Sequence, residues 1–249
     1  MNDQEFKAFV VEDKDGEFIG SIKTRNIEAL PKGDLLIKVS YSSLNYKDAL
    51  SASGNKGVTR NFPHTPGIDA VGIIAESDNA GFSEGDRMSV LRLTELVKPE
   101  DGKIMVSGAS GGVGALSVAI LSKLGYTVVA ITGKEHEKDY LMDLGAKEII
   151  LRADFENLDK RPLLKPLCAG GIDTVGGVIL ENIIKSTAAM GTITCCGNVA
   201  SPNLSLTVFP FILRGISLIG IDSQNYPMRY REQVWNKLAK DWKPSQLTA

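Results

Sequence analysis

A chain of 249 residues, 43% hydrophobic and 23% charged with a formal net charge of −2, has the balance of a globular protein of one large domain or two ordinary ones. The near-neutral charge removes any electrostatic case for nucleic acid or an anionic membrane, and no run of about 20 apolar residues offers a transmembrane helix. The start, Met1-Asn2-Asp3-Gln4-Glu5, is unlike a signal peptide, and Cys168, Cys195 and Cys196 lack metal-type spacing, which predicts reduced structural thiols in a cytoplasmic protein.

In chain order, residues 1–90 read as a β-rich domain. Ala8–Glu12, Leu35–Ser40 and Asp69–Ala75 are strand candidates, with turns at Asp13-Lys14-Asp15-Gly16 and Pro31-Lys32-Gly33-Asp34. Pro63, Pro66 and Gly67, then Gly81, Gly85 and Asp86, punctuate the remainder, and the short strands suggest a small barrel or sandwich. Ser42-Ser43-Leu44-Asn45-Tyr46-Lys47-Asp48 follows one strand. Asn45 and Tyr46 could donate hydrogen bonds to a carbonyl oxygen that gains charge during hydride transfer. A structural turn or helix cap is the competing reading.

From residue 91 to 249 the rhythm becomes strand–helix alternation. Strands are expected at Lys103–Ser107, Thr127–Thr132, Glu148–Leu151, Ile172–Val175, Thr192–Cys196 and Ser217–Ile221, and helices at Gly112–Leu124, His136–Leu144, Leu180–Met190 and Val208–Arg214. This fits a doubly wound parallel sheet. Asn225-Tyr226-Pro227 breaks the pattern, and Arg229–Trp242 reads as an amphipathic helix that Trp235 and Trp242 pack or cap.

The chemistry centres on the turn Ser107-Gly108-Ala109-Ser110-Gly111-Gly112-Val113-Gly114, between the first of these strands and the first helix. Glycines let a pyrophosphate approach the backbone, and the first helical N–H groups point at it. No Lys-Ser or Lys-Thr follows Gly114, which excludes a P-loop. A short-chain dehydrogenase needs a tyrosine with lysine four residues later, and no tyrosine here has one. At the end of the second strand an NAD-specific fold places a carboxylate on the ribose 2′-hydroxyl. Thr132-Gly133-Lys134 stands there instead. A lysine would attract a 2′-phosphate, so NADPH is favoured over NADH. His64 and His136, the only histidines, lie apart from the cysteines and supply no catalytic zinc set.

These segments resemble the zinc-independent, quinone-oxidoreductase-like branch of the medium-chain dehydrogenase/reductases, closest to the acrylyl-CoA reductase group. The resemblance rests on Ser42 to Leu50, Arg60-Asn61-Phe62-Pro63 with Pro66-Gly67-Ile68-Asp69, the glycine turn, Thr132-Gly133-Lys134 with Leu144-Gly145-Ala146, Ile172 to Gly177, Cys196-Gly197, and Pro210 to Arg214 with Gly220-Ile221-Asp222-Ser223. Where zinc-dependent relatives carry Gly-His-Glu, this chain has Gly67-Ile68-Asp69. The resemblance implies a GroES-like domain followed by a Rossmann domain, with NADPH between them and a homodimer as the assembly. The implied reaction reduces the conjugated double bond of an enone or enoyl-CoA. Quinone reduction is the alternative acceptor chemistry. By matched position, Tyr46 would lie near the nicotinamide with Asn45 alongside. Ser110, Gly111, Gly112 and Val113 would hold the pyrophosphate, and Thr132, Gly133 and Lys134 the 2′-phosphate. Gly197, Ile212 and Ser223 would line the nicotinamide half.

The chain departs from that pattern in two places. Family members carry several tens of residues between segments corresponding to Gly85-Asp86-Arg87 and Leu91-Arg92-Leu93, which Met88-Ser89-Val90 joins here. They also continue past the position of Ala249. If the chain is truly shortened, the catalytic domain is incomplete, and an inactive NADPH-binding module is the expected remainder.

Overall fold

The structure, a computed structural model, describes residues 5–31, 33, 35–77, 93–158, 160–222 and 227–245. The expected features at Gly81, Gly85, Asp86, Ser223, Asn225 and Tyr226 lie outside the described residues. The chain divides into two compact units, Met1–Phe82 and Ser83–Ala249.

The first unit begins with an antiparallel hairpin of β1 (Glu5–Lys14) and β2 (Glu17–Asn26). Asp15 and Gly16 connect them with positive φ values of 55° and 91°, the two-residue geometry that Asp-Gly favours because it matches strand twist. Asp13 Oδ1 accepts from Gly16 N–H at 2.9 Å. The second strand of this hairpin, which was not expected, adds to the β-rich reading. A second antiparallel pair joins β3 (Leu35–Tyr41) to β4 (Val71–Ser77). The short helix α1 (Tyr46–Ala52) stands in the connection. Reciprocal backbone bonds between Val11 and His64, 2.8 and 2.9 Å, tie the hairpin to the 61–64 segment. The described residues of this unit form two two-stranded sheets. Val10 and Val11 are buried in this unit.

The second unit carries a six-stranded parallel sheet. Its strands are β5 (Ile104–Ser107), β6 (Val128–Thr132), β7 (Glu148–Leu151), β8 (Cys168–Asp173), β9 (Thr187–Cys195) and β10 (Ser217–Gly220). Their order is β10-β9-β8-β5-β6-β7. The helices are α2 (Gly112–Lys123), α3 (Lys138–Asp143), α4 (Arg152–Glu156), α5 (Gly177–Lys185), α6 (Phe209–Arg214) and α7 (Met228–Ala239). The sheet is buried on both faces, as a parallel sheet must be. Side-chain alternation divides β6 between two apolar layers: Val128 and Ala130 join α2, α7 and Trp242, while Val129 and Ile131 join Phe155 of α4 and the isoleucines of α5. Seven of the twelve α2 residues are buried, so this helix is apolar over most of its circumference. In α7, Val234 and Leu238 are buried at a spacing of four.

Several boundaries differ from expectation, and α4 was not expected. The expected strand Ile172–Val175 instead runs from Cys168 to Asp173. The expected helix Leu180–Met190 ends at Lys185, and residues 187–190 open β9. Cys196, expected as the last residue of a strand, lies one residue past β9 and is exposed; Cys168 is buried, and burial pushes its thiol to about 11. The end of α6 is fixed by Arg214, whose guanidinium donates to the carbonyls of Lys185 and Thr187, both at 2.9 Å, and of Leu164.

Candidate functional site

The β5–α2 connection is built for close approach. Gly108 sits at φ 57°, and a Cβ on Gly114 would lie 2.2 Å from the Gly108 carbonyl oxygen, so a side chain there would force the turn open. A Cβ on Gly112 would meet nothing within 4 Å, and Gly111 and Gly112 are exposed. The first N–H groups of a helix have no intrahelical acceptor. A twelve-residue helix therefore presents its positive end beside open space at Gly112. Ser110 of the turn reaches across to the end of β6, with its Oγ 3.1 Å from Thr132 Oγ1. That hydroxyl also accepts from Lys134 N–H at 3.1 Å. The structure thus brings Ser110, Thr132 and Lys134 together from both sides of α2, while Gly111, Gly112 and Val113 line the opening turn.

A further cation stands at this corner. Arg152, the first residue of α4, places its guanidinium 3.5 Å from where a Gly133 Cβ would be. Parallel pairing of β6 with β7, Thr132 opposite Leu151, brings it there. Glu135 is engaged by Lys138 at 2.8 Å, and Glu137 lies 3.7 Å from His136 Nε2. Among the described residues neither Lys134 nor Arg152 has a carboxylate within 4 Å. The corner is a hydroxyl, a glycine and two cations without acidic partners, which suits a phosphate dianion.

On the other side of β5, the ends of β9 and β10 form a concave surface from Cys195 to Asn198 and from Gly220 to Asp222. Gly197 belongs to it, and a Cβ there would lie 2.3 Å from the Thr174 carbonyl oxygen. Ile212 is 67% exposed on α6. Ser223 lies outside the described residues.

In the first unit Asn45 caps α1, as the competing reading anticipated. Its N–H donates to Asp48 Oδ2 at 2.7 Å, and Asp48 N–H donates to the Asn45 carbonyl at 3.0 Å. The Asn45 side-chain amide donates to Ser43 Oγ and to Asp69 Oδ2, both at 3.0 Å. Asp69 also accepts Ser43 N–H at 2.8 Å and the Ser43 hydroxyl, while its backbone carbonyl accepts Ser42 Oγ at 2.9 Å. Hydrogen bonds from Ser43 and Asn45 hold the Asp69 carboxyl below the usual carboxylate range. Both amide hydrogens of Asn45 are therefore engaged, and Tyr46, 80% exposed, is the donor left open. Among the described residues no three His, Cys, Asp or Glu side chains gather as a metal site.

The sequence reading missed Arg152 and the partners of Asp69. An arginine after a short strand has no local mark that separates it from solvated surface. Asp69 carried a signal, its place in the triplet Gly67-Ile68-Asp69, without a partner to give it a role.

Comparison with known proteins draws these pieces together. The family described as alcohol dehydrogenase GroES-like domain matches residues 31–130, and that described as zinc-binding dehydrogenase matches residues 112–240. "Probable acrylyl-CoA reductase AcuI" of Escherichia coli is 35% identical over 286 positions, covering 94% of this chain and 88% of the relative. That alignment is longer than the 249-residue chain, so the relative carries residues with no counterpart here. The yhdH oxidoreductase of Salmonella enterica, solved with NADP, superposes with a TM-score of 0.87 at 34% identity over 97% of this chain and 89% of that one. Protein yhfP of Bacillus subtilis, solved with NAD, gives a TM-score of 0.91 at 34% identity over 98% and 89%.

Proposed function

This chain belongs to the medium-chain dehydrogenase/reductase superfamily of oxidoreductases, with a GroES-like domain before a Rossmann sheet, and on that premise we propose that it reduces the conjugated double bond of a small α,β-unsaturated carbonyl compound or acyl-CoA with NADPH and without zinc. The observation that carries the cofactor choice is the corner at Gly133: Lys134 and Arg152 without acidic partners, and no carboxylate where a ribose 2′-hydroxyl would be held. The relative named as an acrylyl-CoA reductase supports the acceptor class.

When bound, NADPH would supply a hydride from nicotinamide C4 to the β-carbon of the acceptor and leave as NADP+, and a proton taken from solvent at the α-carbon would complete the reduction. The chain's own residues bind, orient and polarise. Ser110, Gly111, Gly112 and Val113 offer the helix N-terminus of α2 to the pyrophosphate. Thr132, Gly133, Lys134 and Arg152 hold the 2′-phosphate. Gly197 and Ile212 border the nicotinamide half. Tyr46 donates a hydrogen bond to the acceptor carbonyl oxygen as charge grows there. Asn45 acts one step back: held by Asp69 and Ser43, it fixes the start of α1 and hence Tyr46.

The test is acceptor-dependent oxidation of NADPH by this polypeptide, with acryloyl-CoA in one arm and a benzoquinone in the other. Oxidation by acryloyl-CoA, unchanged by a zinc chelator, is the expected result. Oxidation by the quinone alone would transfer the reading to quinone reduction. NADPH binding without turnover in either arm would leave a cofactor-binding module. Tyr46→Phe should lower kcat while leaving NADPH affinity intact; an unchanged kcat would remove its hydroxyl from the chemistry.

A further inference from the structure

The order of the sheet sets one place apart. Helical connections leave β5 toward β6 and β8 toward β9, in opposite directions, so the order of the sheet reverses between β5 and β8, the place where such sheets receive a ligand. Ser107 ends β5 and Asp173 ends β8, and both are fully buried. Resting on the NADPH reading above, we propose that Asp173 is a positioning residue for the cofactor: acting through Ser107 and Thr174, it fixes the distance between the glycine turn and the loop after β9.

Three hydrogen bonds join the two strand ends. Ser107 Oγ donates to Asp173 Oδ1 at 2.6 Å, Thr174 N–H donates to Ser107 Oγ at 3.0 Å, and Thr174 Oγ1 donates to the Ser107 carbonyl at 3.1 Å. The second carboxylate oxygen accepts Gly176 N–H at 2.8 Å. The Asp173 carbonyl accepts Cys196 N–H at 3.0 Å. One residue therefore holds the end of β5, its own turn into α5, and the first residue beyond β9.

The result is a wedge. Thr174 lies so close to Gly108 that a Cβ on the glycine would meet Thr174 Oγ1 at 2.3 Å. On its other side the Thr174 carbonyl oxygen would meet a Gly197 Cβ at 2.3 Å. The turn that receives the pyrophosphate and the concave surface that borders the nicotinamide half are thus separated by one residue, and Asp173 sets how that residue stands. A well-packed apolar pair would hold the two strand ends at no greater free-energy cost than a buried carboxylate. What the apolar pair lacks is direction, because hydrogen bonds fix angles that dispersion contacts leave loose.

The test compares three ligands by calorimetry: NADPH, 2′-phospho-ADP-ribose, and adenosine 2′-monophosphate, whose only phosphate is the one for the corner at Gly133. Proteins compared are the unmodified chain, Asp173→Asn, Ser107→Ala, Thr174→Val and Thr174→Ser, each with its melting temperature. NADPH and 2′-phospho-ADP-ribose should weaken about tenfold in Asp173→Asn, Ser107→Ala and Thr174→Val, about one hydrogen bond's worth. Adenosine 2′-monophosphate should stay within about twofold, and Thr174→Ser should restore tight binding. Should Asp173→Asn fail to fold, Ser107→Ala and Thr174→Val carry the test. Equal weakening of all three ligands, or a lowered melting temperature with unchanged binding, would reduce the network to ordinary structure and overturn the proposal. If the unmodified chain binds no NADPH, the cofactor reading falls and this inference with it; if it binds and the variants bind equally, this inference alone falls.

Discussion

Removing the two cations at the Gly133 corner should cost NADPH binding and spare NADH. Lys134 is exposed, so its attraction is that of charges in nearly full solvent, about 1 kcal/mol per unit charge at 4 Å. A phosphate monoester carries nearly two charges, which brings Lys134→Ala to about 1.5–2 kcal/mol, or roughly ten- to thirtyfold in Kd. Arg152 is half-buried against Gly133 and presents a forked donor, so Arg152→Ala should cost about 3 kcal/mol, or roughly a hundredfold or more. The assay is titration of NADPH and NADH into each variant at low and high salt. NADH affinity should stay within about twofold throughout. The penalty at Lys134 should shrink in about 1 M salt, where the Debye length falls to about 3 Å, while that at Arg152 persists. Equal losses for both nucleotides would refute the reasoning, since they would mean that the cations support the fold or the adenosine rather than a 2′-phosphate.

The glycine turn offers a pair with opposite outcomes. Gly114→Ala should destabilise by about 1–3 kcal/mol through the clash with Gly108, read as a lowered melting temperature. Gly112→Ala should raise stability by about 0.5–1 kcal/mol as a helical alanine yet weaken NADPH, because its methyl fills the open space at the helix end. Arg214→Ala strips three carbonyls of a charged donor and should cost about 3 kcal/mol, a fall of about 6–12 °C in melting temperature for a protein of this size; Arg214→Lys should recover only part. Asp69 sets a pH dependence. Its folded carboxyl titrates below the ordinary range, so its contribution is complete above the unfolded value of about 3.9 and is lost as pH falls through the lower folded value. Side-chain amide signals of Asn45 should therefore persist below pH of about 3.9 and broaden only under stronger acid. Loss of those signals already at pH of about 5 would contradict the bonding to Asp69.

Much of the second unit was legible because short apolar runs bounded by glycines leave little choice of structure. Glu148–Leu151 was placed to the residue, and the strand–turn–helix around Gly108 to Gly114 stands as read. Where the reading failed, distant backbone decided the outcome. Cys168-Ala169-Gly170-Gly171 was left out of the expected strand, yet it makes up most of β8. A Cβ at Gly170 would meet the Thr192 carbonyl oxygen at 2.4 Å, and one at Gly171 the Met105 oxygen at 3.1 Å. The glycines are there to let flanking strands close in, a demand that no window along the chain displays. Thr187 to Met190 likewise continues an apolar helix by composition but is drawn into β9 by pairing of Cys168 with Thr187. The same distance hid Arg152 and the bond between Ser107 and Asp173, partners 66 positions apart. In the first unit the Asp15-Gly16 turn was plain, but β2 was not, since its residues become a strand by pairing with β1.

Arg214 also bears on how long the folded sheet edge lasts once formed. Its three acceptors lie 27, 29 and 50 residues earlier in the chain. The guanidinium can engage all three only once α5, β9 and the segment at Leu164 have met, so Arg214→Ala should raise the unfolding rate and leave the folding rate nearly unchanged; a slowed folding rate in stopped-flow kinetics would contradict this order. Interactions made after the barrier hold back escape from the native state without hastening arrival. Arg214 is in that sense a lock on duration: with it in place, β9 and β10 open seldom, and the concave surface at their ends keeps its shape between one turnover and the next.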